Sequence, residues 1–400
     1  MKGNVLTVKQ LNNCTGCAMC QGVCPTGAIQ VSLSEQGFYE PQINNEKCVA
    51  CSLCTKVCYK CDGEYSVKEA EDYTCYSAIN KDEKILKESS SGGASYQLMK
   101  ECLSQGYFVV GVAYDVNTGS AVTRIARNEA ELEQFKGSKY FQSYTVDAVM
   151  EILSDKSEQR YAIFGTPCQI YSYSKMAELK GNREKFVFVD IFCHGCPSKN
   201  LWDKYLDFVR KENGVEDFKE ISFRSKAYGW HEYCFDFKAD EKTFHSSKYN
   251  DPFHEVFFSL DAMNKACYDC IARSTVEKTD IRIGDFWGKR FNEDSKGVSA
   301  VVVASEKGEK LFDAVKDKFI TEKADFNEII SAQSYKKIHK YNEERREKIL
   351  SMLSGEEAIE KIVNESRKGK PLAAKVKRVV KQALKHLPQP IYFKIKSIIN

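Results

Sequence analysis

The apolar residues in the middle of the chain form short runs that alternate with stretches of helical periodicity. Residues 95–105, 146–155 and 200–211 carry apolar side chains at helical spacing and predict helices. The short runs between them are rich in β-branched and aromatic residues, which favour strands. These predicted strands are residues 107–115, 161–165, 185–193, 281–286 and 299–305. Such alternation predicts an α/β (α+β) fold with a largely parallel or mixed sheet.

Other parts of the chain depart from this alternation. Residues 219–225 and 231–238 are predicted to form an antiparallel insertion. Residues 63–88 are charged and lack a sustained apolar period, which is typical of a connector. The pattern therefore predicts a multidomain chain with a small N-terminal domain at 1–62, a linker at 63–88, a main domain at 89–305 and a helical C-terminal region at 306–400.

Composition indicates a folded protein. The chain has 400 residues, of which 42% are hydrophobic and 12% aromatic, enough to bury a core. It contains no apolar run near the ~18–20 residues that a membrane-spanning helix needs. Residues 1–10 are interrupted by polar side chains and lack the continuous apolar segment of a secretory signal. We therefore expect a cytoplasmic protein.

The charge is concentrated at one end. Residues 367–400 hold ten of the 59 basic residues and no acidic one, which leaves 49 basic against 56 acidic residues elsewhere. A mildly acidic body argues against nucleic acid as a partner. Between Leu372 and Leu387 the apolar and basic residues fall on opposite sides of a predicted helix. This basic amphipathic tail is predicted to dock either peripherally on the inner membrane face or on the acidic body or a partner subunit.

The chain has seventeen cysteines. In a cytoplasmic protein they are expected to bind metal, because a reducing compartment does not maintain disulfides. Eight of them form the spacing C-x2-C-x2-C-x3-C twice, starting at Cys14 and at Cys48. In this arrangement three thiolates wrap one 4Fe-4S cluster and the fourth ligates the other cluster. Zinc is the competing interpretation, but zinc does not require a doubled eight-cysteine run.

The spacing assigns the two clusters. One cluster takes Cys14, Cys17, Cys20 and Cys58, and the other takes Cys48, Cys51, Cys54 and Cys24. Residues 4–62 resemble the bacterial 2x(4Fe-4S) ferredoxin domain. Tyr59 departs from this pattern, because proline usually follows the last cysteine. Cys61 and Cys75 are interpreted as spare thiols.

Further candidate chemistry follows the strands of the main domain. A Ser/Gly run at 89–94 precedes a predicted helix, where free amides and the helix dipole favour a phosphate, although linkers and helix caps also have this composition. Cys168 and Cys193 each follow a predicted strand, at the carboxyl end where open α/β sheets bind ligands. Cys267 and Cys270 add a C-x2-C pair ahead of the segment DIRIGDFWG.

Five ordered motifs give the main domain a family resemblance. They are SSSGGASYQLMKECLSQGYFVVGVAYD, KGSKYFQSY, GTPCQI, DIFCHGCPSKNLWDKYL, and C-x2-C followed by TDIRIGDFWG. Over roughly residues 65–305 the chain resembles the coenzyme F420 hydrogenase/dehydrogenase β-subunit family. The resemblance implies a catalytic domain that binds FAD and one 4Fe-4S cluster, in addition to the two clusters of the ferredoxin domain.

The resemblance also implies site residues. It places Cys168, Cys193, Cys267 and Cys270 on the third cluster, with Cys196 as an alternative to Cys193. It assigns catalytic positions near the flavin to Lys139, Ser143 and Asp285, although a lone lysine is more commonly a solvated surface residue and the aspartate could equally cap a turn. The implied FAD-binding residues are Ser91, Gly92, Gly93, Ala94, Gly165 and Thr166.

Two functions follow from the predicted cofactors. In the first, an iron–sulfur flavoprotein oxidoreductase couples two-electron chemistry at FAD to one-electron transfer through the clusters, acting on a small-molecule substrate or cofactor. In the second, the chain is an electron-transfer subunit between a reduced deazaflavin or nicotinamide cofactor and a partner protein, such as a ferredoxin, or a quinone. The sequence is compatible with both functions.

Overall fold

The computed structural model describes residues 4–10, 13–61, 73–232, 234–246 and 251–368. Its strands are β1 Ile29–Leu33, β2 Tyr39–Ile43, β3 Thr74–Asn80, β4 Tyr107–Asp115, β5 Ser120–Ala126, β6 Arg160–Gly165, β7 Phe186–Ile191, β8 Glu220–Ser222, β9 Asp236–Ala239, β10 Lys242–His245, β11 Ile281–Asp285, β12 Ser299–Val303 and β13 Phe319–Ala324. Its helices are α1 Leu6–Gln10, α2 Met19–Gly22, α3 Leu53–Val57, α4 Glu83–Glu88, α5 Ala94–Ser104, α6 Glu129–Leu132, α7 Val146–Ser154, α8 Pro167–Lys180, α9 Lys199–Asn213, α10 Pro252–Ser259, α11 Glu306–Asp313, α12 Phe326–Ser331, α13 Glu343–Ser354 and α14 Ile359–Ser366.

An eight-stranded mixed sheet organises the main domain. Its order is β13-β3-β12-β11-β7-β6-β4-β5, and the four strands β11, β7, β6 and β4 at its centre are parallel. The outer strands pair antiparallel. The predicted α/β fold class is confirmed. The carboxyl ends of the parallel strands meet at one edge of the sheet. Cys168 lies there in the first turn of α8, Cys193 follows β7, and Asp285 is the last residue of β11.

Strand β7 shows why the central strands are almost continuously apolar. Val187 and Val189 pack into the core on one face of the sheet, whereas Phe186 and Phe188 pack on the other face. Successive side chains of a strand point to opposite faces, so a strand covered on both sides needs apolar residues at every position. This burial accounts for the strong sequence signal of the central strands.

The ferredoxin-like region shares this core. Met19 and Val57 pack among the residues of α7, α8, β6 and β7. At Gly22 a Cβ atom would lie 2.5 Å from both Leu153 Cδ1 and Val149 Cγ1, so α2 meets α7 at a distance that only glycine allows. The two regions therefore form a packed interface.

The predicted linker at 63–88 is corrected in its second half. Residues 74–80 form β3, which pairs with β12 on one side and β13 on the other, and residues 83–88 form α4. This strand is hard to recognise in the sequence, because it has only seven residues and charged segments flank it on both sides. The rest of the predicted linker, residues 63–72, lies outside the described residues.

The C-terminal region is also less uniformly helical than predicted. Residues 319–324 form β13 at the edge of the main sheet, with one face exposed, which leaves few apolar residues to mark it. Residues 220–222, 236–239 and 242–245 form the small antiparallel sheet β8–β10 in the region of the predicted insertion. The predicted basic amphipathic helix at 372–387 lies outside the described residues. Among the helices that are described, none is long and apolar enough to cross a membrane.

Candidate functional site

The two cysteine repeats of the ferredoxin-like region fold into similar loops. In the first repeat Gly16 and Ala18 have positive φ values of 70° and 59°. At the corresponding positions of the second repeat Ala50 and Ser52 have φ values of 53° and 61°. Left-handed residues turn the backbone tightly around a centre. Both loops thus have the same tight curvature around their cysteines.

The first predicted ligand set, here the inner set, is brought together. Cys14, Cys17, Cys20 and Cys58 line one small cavity. Burial raises the pKa of Cys14 to about 12, and neighbouring thiols add to this effect. A group of buried thiolates is stable only with a compensating positive charge, which a metal cluster supplies. The donor set therefore fits a 4Fe-4S cluster.

The second predicted ligand set, here the outer set, comprises Cys24, Cys48, Cys51 and Cys54. Cys24 and Cys54 pack in one apolar cluster with Val5 and Ile29. The Ala28 amide donates to Cys24 Sγ at 3.3 Å, and Asn4 Nδ2 donates to Cys48 Sγ at 3.8 Å. Cys51 is exposed to solvent. The outer set therefore lies closer to the protein surface than the inner set does.

The spare thiols have different surroundings. Cys61 hydrogen-bonds with Cys58, and this bond, together with burial, raises the pKa of Cys58. Cys75 lies on β3 and is buried in the apolar core. The proximity of Cys61 to an inner-set thiol was not anticipated from the cysteine spacing.

A third group of thiols lies at the carboxyl edge of the main sheet. Cys168 lies in the first turn of α8, shortly after β6, Cys193 and Cys196 follow β7, and the C-x2-C pair comes from the loop after α10. All of these thiols line one cavity and interact electrostatically with one another. The structure thus brings the four predicted residues together with the alternative, Cys196. The group is Cys168, Cys193, Cys196, Cys267 and Cys270.

Buried arginines hold the loops that carry these thiols. Arg282 on β11 forms a two-pronged ion pair with Asp190 on β7, at 2.7 and 2.6 Å. It also donates to the carbonyls of Ala272 and Thr275, which follow the C-x2-C pair. Burial raises the pKa of Asp190, and Arg282 opposes this shift. The ion pair therefore fixes two thiol-bearing loops to neighbouring strands.

Arg273 adds a second support. Its guanidinium donates to the carbonyls of His194 at 3.3 Å and Cys267 at 3.1 Å, and it also donates to the Lys337 carbonyl. Gly195, with φ of 134°, lies so close to the C-x2-C loop that a Cβ atom would be 3.2 Å from Cys267 Cβ. The thiol group is thus rigidly supported by backbone contacts that the sequence motifs did not reveal.

A cavity of about 740 Å³ extends from the thiol group to the Ser/Gly run. Its volume lies in the range of cofactor sites. The N-terminus of α5 opens at this cavity with Gly93, whose φ is 85°, as its N-cap. Among the predicted site residues, those lining the cavity are Ser91, Gly93, Ala94, Lys139, Ser143, Gly165, Thr166, Asp285 and the third group of thiols.

Gly92 is the predicted cofactor-binding residue that is not among those lining the cavity. A Cβ atom there would lie 2.1 Å from the Ala78 carbonyl oxygen and 2.5 Å from the Ser299 amide. Gly92 thus packs the Ser/Gly run against β3 and β12. Its lack of a side chain lets the loop lie flat on the sheet, with Ser91 Oγ donating to the Val298 carbonyl at 2.7 Å. The residue supports the loop from behind.

The three predicted catalytic side chains have distinct environments. Lys139 Nζ donates to the carbonyls of Gln134, Lys136 and Gly137 at 3.0–3.3 Å, and burial lowers its pKa to about 7. Ser143 Oγ lies 3.1 Å from Thr123 Oγ1 and accepts from Gln169 Nε2 at 3.3 Å.

Asp285 binds two side chains from the insertion. It accepts from Trp230 Nε1 at 2.6 Å and from Arg224 Nη1 at 3.3 Å. Trp230 in turn stacks on Trp287, with ring centroids 4.9 Å apart. Asp285 is thus ion-paired at the cavity wall. Its partner Arg224 was not identified from the sequence.

The ferredoxin-like region reaches this cavity through Thr15 and Gly16, which form part of its lining. Gln142 bridges the two regions, because its Nε2 donates to the Thr15 carbonyl at 2.8 Å and its Oε1 accepts from the Tyr39 amide at 3.0 Å. Ser172 Oγ on α8 lies 3.4 Å from Cys17 Sγ, within hydrogen-bond range. These bridging residues were missed, although Gln142 lies inside the motif KGSKYFQSY.

Comparisons with known proteins agree with this architecture. Residues 13–60 match the 4Fe-4S dicluster domain. Residues 75–151 match the N-terminal part, and residues 158–328 the C-terminal part, of the coenzyme F420 hydrogenase/dehydrogenase β subunit. Together the last two matches cover more than half of the chain.

Two individual proteins illustrate the similarity. One of the subunits of the F420H2 dehydrogenase of Methanosarcina mazei is 25% identical over 329 residues, which is 79% of this chain and 86% of that protein. A chain of the F420-reducing NiFe hydrogenase complex from Methanosarcina barkeri aligns with a TM-score of 0.43 at 17% identity, covering 74% of this chain and 90% of that chain.

Proposed function

Since this chain belongs to the coenzyme F420 hydrogenase/dehydrogenase β-subunit family and carries a 4Fe-4S dicluster domain, we propose that it is an iron–sulfur flavoprotein oxidoreductase. In this proposal it couples two-electron (hydride) chemistry at FAD to one-electron transfer through three 4Fe-4S clusters. The observation that carries the proposal is the single cavity that joins the Ser/Gly run at α5 to the third group of thiols.

The residues at the two ends of the cavity suit different groups. At one end, the free amides at the N-terminus of α5 and the hydroxyl groups of the Ser/Gly run would hold the FAD pyrophosphate. Lys139, ion-paired Asp285 and the Gly165–Thr166 turn would line the flavin. At the other end, four of the five thiols would hold the third cluster, with Cys168, Cys193, Cys267 and Cys270 as its ligands and Cys196 as the alternative to Cys193.

The chain's own residues contribute binding and exclusion of water. Arg282 and Arg273 fix the thiol-bearing loops, and the apolar side chains Phe164 and Phe192 line the cavity. When bound, FAD supplies the ability to exchange electron pairs with an organic partner and single electrons with clusters. The proposal needs no covalent nucleophile of the protein.

The two-electron partner is proposed to be a small organic substrate or a redox cofactor. The name of the M. mazei relative points to the reduced deazaflavin coenzyme as one candidate. A second candidate function is an electron-transfer subunit between a reduced deazaflavin or nicotinamide cofactor and a partner protein or quinone. The exposed Cys51 favours this second candidate, because a cluster near the surface is within reach of an external redox partner.

The central test is the cofactor content of the anaerobically purified chain. We expect about twelve iron atoms and one FAD per chain, corresponding to three 4Fe-4S clusters. Stoichiometric zinc with little iron would contradict the proposal. A Cys267→Ser variant should lose about four iron atoms and retain FAD, whereas Cys102→Ala, which alters a buried thiol of α5 away from the cavity, should retain both.

The same preparation separates the two candidate functions. The chain is supplied with reduced deazaflavin coenzyme or reduced nicotinamide cofactor, and reduction of a viologen dye is followed. Dye reduction without any reduced organic product indicates the electron-transfer subunit. If the chemically reduced chain alone reduces a small organic substrate, the chain is the oxidoreductase of the first candidate function.

A further inference from the structure

Tyr59 connects the inner thiol set with the third group of thiols. It follows Cys58 directly in the sequence and is 1% exposed. Its ring packs with Tyr171 and Ala272 beside Cys168 and Cys270. Tyr59 is thus bonded to Cys58, a predicted ligand of the inner cluster, and contacts two predicted ligands of the third cluster.

The hydroxyl group of Tyr59 is directed at one sulfur. Its oxygen lies 3.9 Å from Cys270 Sγ, within hydrogen-bond range for sulfur. A cysteine that ligates a cluster is a thiolate and can only accept. The tyrosine hydroxyl must therefore be the donor whenever Cys270 holds a metal.

The corresponding position of the first repeat shows that this contact depends on domain packing. There Pro25 follows Cys24 and is exposed to solvent. In the second repeat Tyr59 is buried, and the next residue, Lys60, donates from Nζ to the Asp269 carbonyl at 3.4 Å, inside the C-x2-C loop. The segment after Cys58 thus docks on the loop that presents Cys267 and Cys270.

We infer that the Tyr59 hydroxyl donates a hydrogen bond to the Cys270 thiolate and thereby raises the reduction potential of the third cluster. This inference rests on the proposed function, because it requires a cluster on Cys270. A hydrogen bond to a ligand sulfur stabilises the reduced, more negative form of a cluster, and such bonds are among the features that set its potential. The ferredoxin-like region would therefore tune the cluster of the main domain.

The test compares two ring-preserving substitutions in the full chain. Tyr59→Phe removes the hydroxyl and keeps the packing with Tyr171. Tyr173→Phe is the matched control, because Tyr173 is buried on α8, interacts electrostatically with Cys17, and has no hydrogen-bond partner for its hydroxyl among the described residues. Redox titrations monitored by electron paramagnetic resonance give the potentials. The signal of the third cluster is identified by its absence in Cys267→Ser.

We expect the third cluster to shift to a more negative potential in Tyr59→Phe and to keep its potential in Tyr173→Phe. Electron–nuclear double resonance provides a second measurement that packing alone would not alter. In wild-type protein one proton coupled to the third cluster should exchange in heavy water, and this coupling should be missing from Tyr59→Phe.

The outcomes separate the inference from the proposed function. About twelve iron atoms per chain together with an unchanged potential and an unchanged exchangeable-proton coupling in Tyr59→Phe would overturn the inference and leave the proposed function intact. A wild-type chain that holds only about eight iron atoms and no signal sensitive to Cys267 would overturn both.

Discussion

The inner and outer thiol sets come from one duplicated sequence but lie in different environments. The inner set faces the main domain. There Gln142 Nε2 donates to the Thr15 carbonyl, and Thr145 Oγ1 donates to the Cys17 carbonyl at 3.2 Å. The outer set packs against residues of the ferredoxin-like region itself, with Cys51 exposed and Val49 65% exposed. The sequence repeat makes the two loops alike, and domain packing makes them unequal.

This difference suggests a direction for electron transfer. A cluster in the inner set would have the main domain on one side and the outer set on the other. A cluster in the outer set would lie where a soluble redox partner can approach. The ferredoxin-like region is thus proposed to connect the cavity with the surface, and substitutions on either side of the contrast can test each part of it.

The largest effect is expected from substituting the two equivalent fourth cysteines, Cys58 and Cys24. Each serine variant should lose about four iron atoms. Cys58→Ser should prevent a two-electron donor from reducing the outer cluster, because the inner cluster is the link. Cys24→Ser should leave the inner cluster reducible and impair only electron transfer to an external protein acceptor.

Rapid-freeze electron paramagnetic resonance after mixing with the donor measures this difference. Cys75→Ala, which alters a buried thiol on β3, serves as the control and should behave like the wild type. Equal reduction of the remaining ferredoxin-type cluster in both serine variants would show that the two sets are not connected in series.

The next effect concerns the support of the third group. Arg282→Met removes one partner of a fully buried ion pair and leaves Asp190 without its counter-charge. Breaking such a pair costs about 3–5 kcal/mol of unfolding free energy. Arg290→Met is the matched control, because Arg290 forms exposed pairs with Glu322 and Glu328, and exposed pairs contribute about 0–1 kcal/mol.

Anaerobic denaturant titration of the full chain measures both values. We also expect Arg282→Met to weaken the signal of the third cluster more than the signal of the outer cluster, since Arg282 binds the carbonyls that follow Cys270. Equal destabilisation by the two arginine variants would mean that the buried pair does not hold the site.

A smaller effect follows from exposure itself. Oxygen and chelators should remove iron from the outer cluster before the inner cluster, because solvent reaches Cys51 directly. The amplitudes of the two ferredoxin-type signals, followed over time in air, measure the order. Loss of both signals at one rate would show that the main domain does not shield the inner set.

Sequence reasoning succeeded where a pattern has one physical explanation. The spacing from Cys14 to Cys58 allows few other uses, and the central strands are apolar at every position because both faces of the sheet are covered. The family resemblance and the α/β class are confirmed. The assignments of individual ligands remain predictions, although the structure brings together the thiols of the inner set and those of the third group.

The features that the sequence did not reveal depend on contacts between residues that are far apart in the chain. Strand β3 is short and lies between charged segments, so its place between β12 and β13 is visible only in the folded sheet. The role of Gly92 depends on Ala78 and Ser299, which are far from it in sequence. Tyr59 was noted as a departure from proline, but its contact with Cys270 requires the docking of two regions.

The smallest predicted effect concerns Lys139, a partly buried residue that lines the cavity of the main domain. Burial lowers its pKa from 10.5 to about 7. Between these values the unfolded chain binds more protons at this lysine than the folded chain does, so the unfolding free energy contributed by Lys139 rises with pH. Below about pH 7 the lysine is protonated in both states and its burial destabilises the fold.

Thermal unfolding of the wild type and of Lys139→Met between pH 6 and pH 9 therefore tests the buried environment. The stability of the variant relative to the wild type should be highest at the acidic end and should decline as pH rises. Lys242→Met, at an exposed position on β10, provides the comparison and should show no such trend. A difference between Lys139→Met and the wild type that stays constant across this range would mean that the Lys139 ammonium keeps its proton in the cavity wall. It would then offer a permanent positive charge to an anionic ligand.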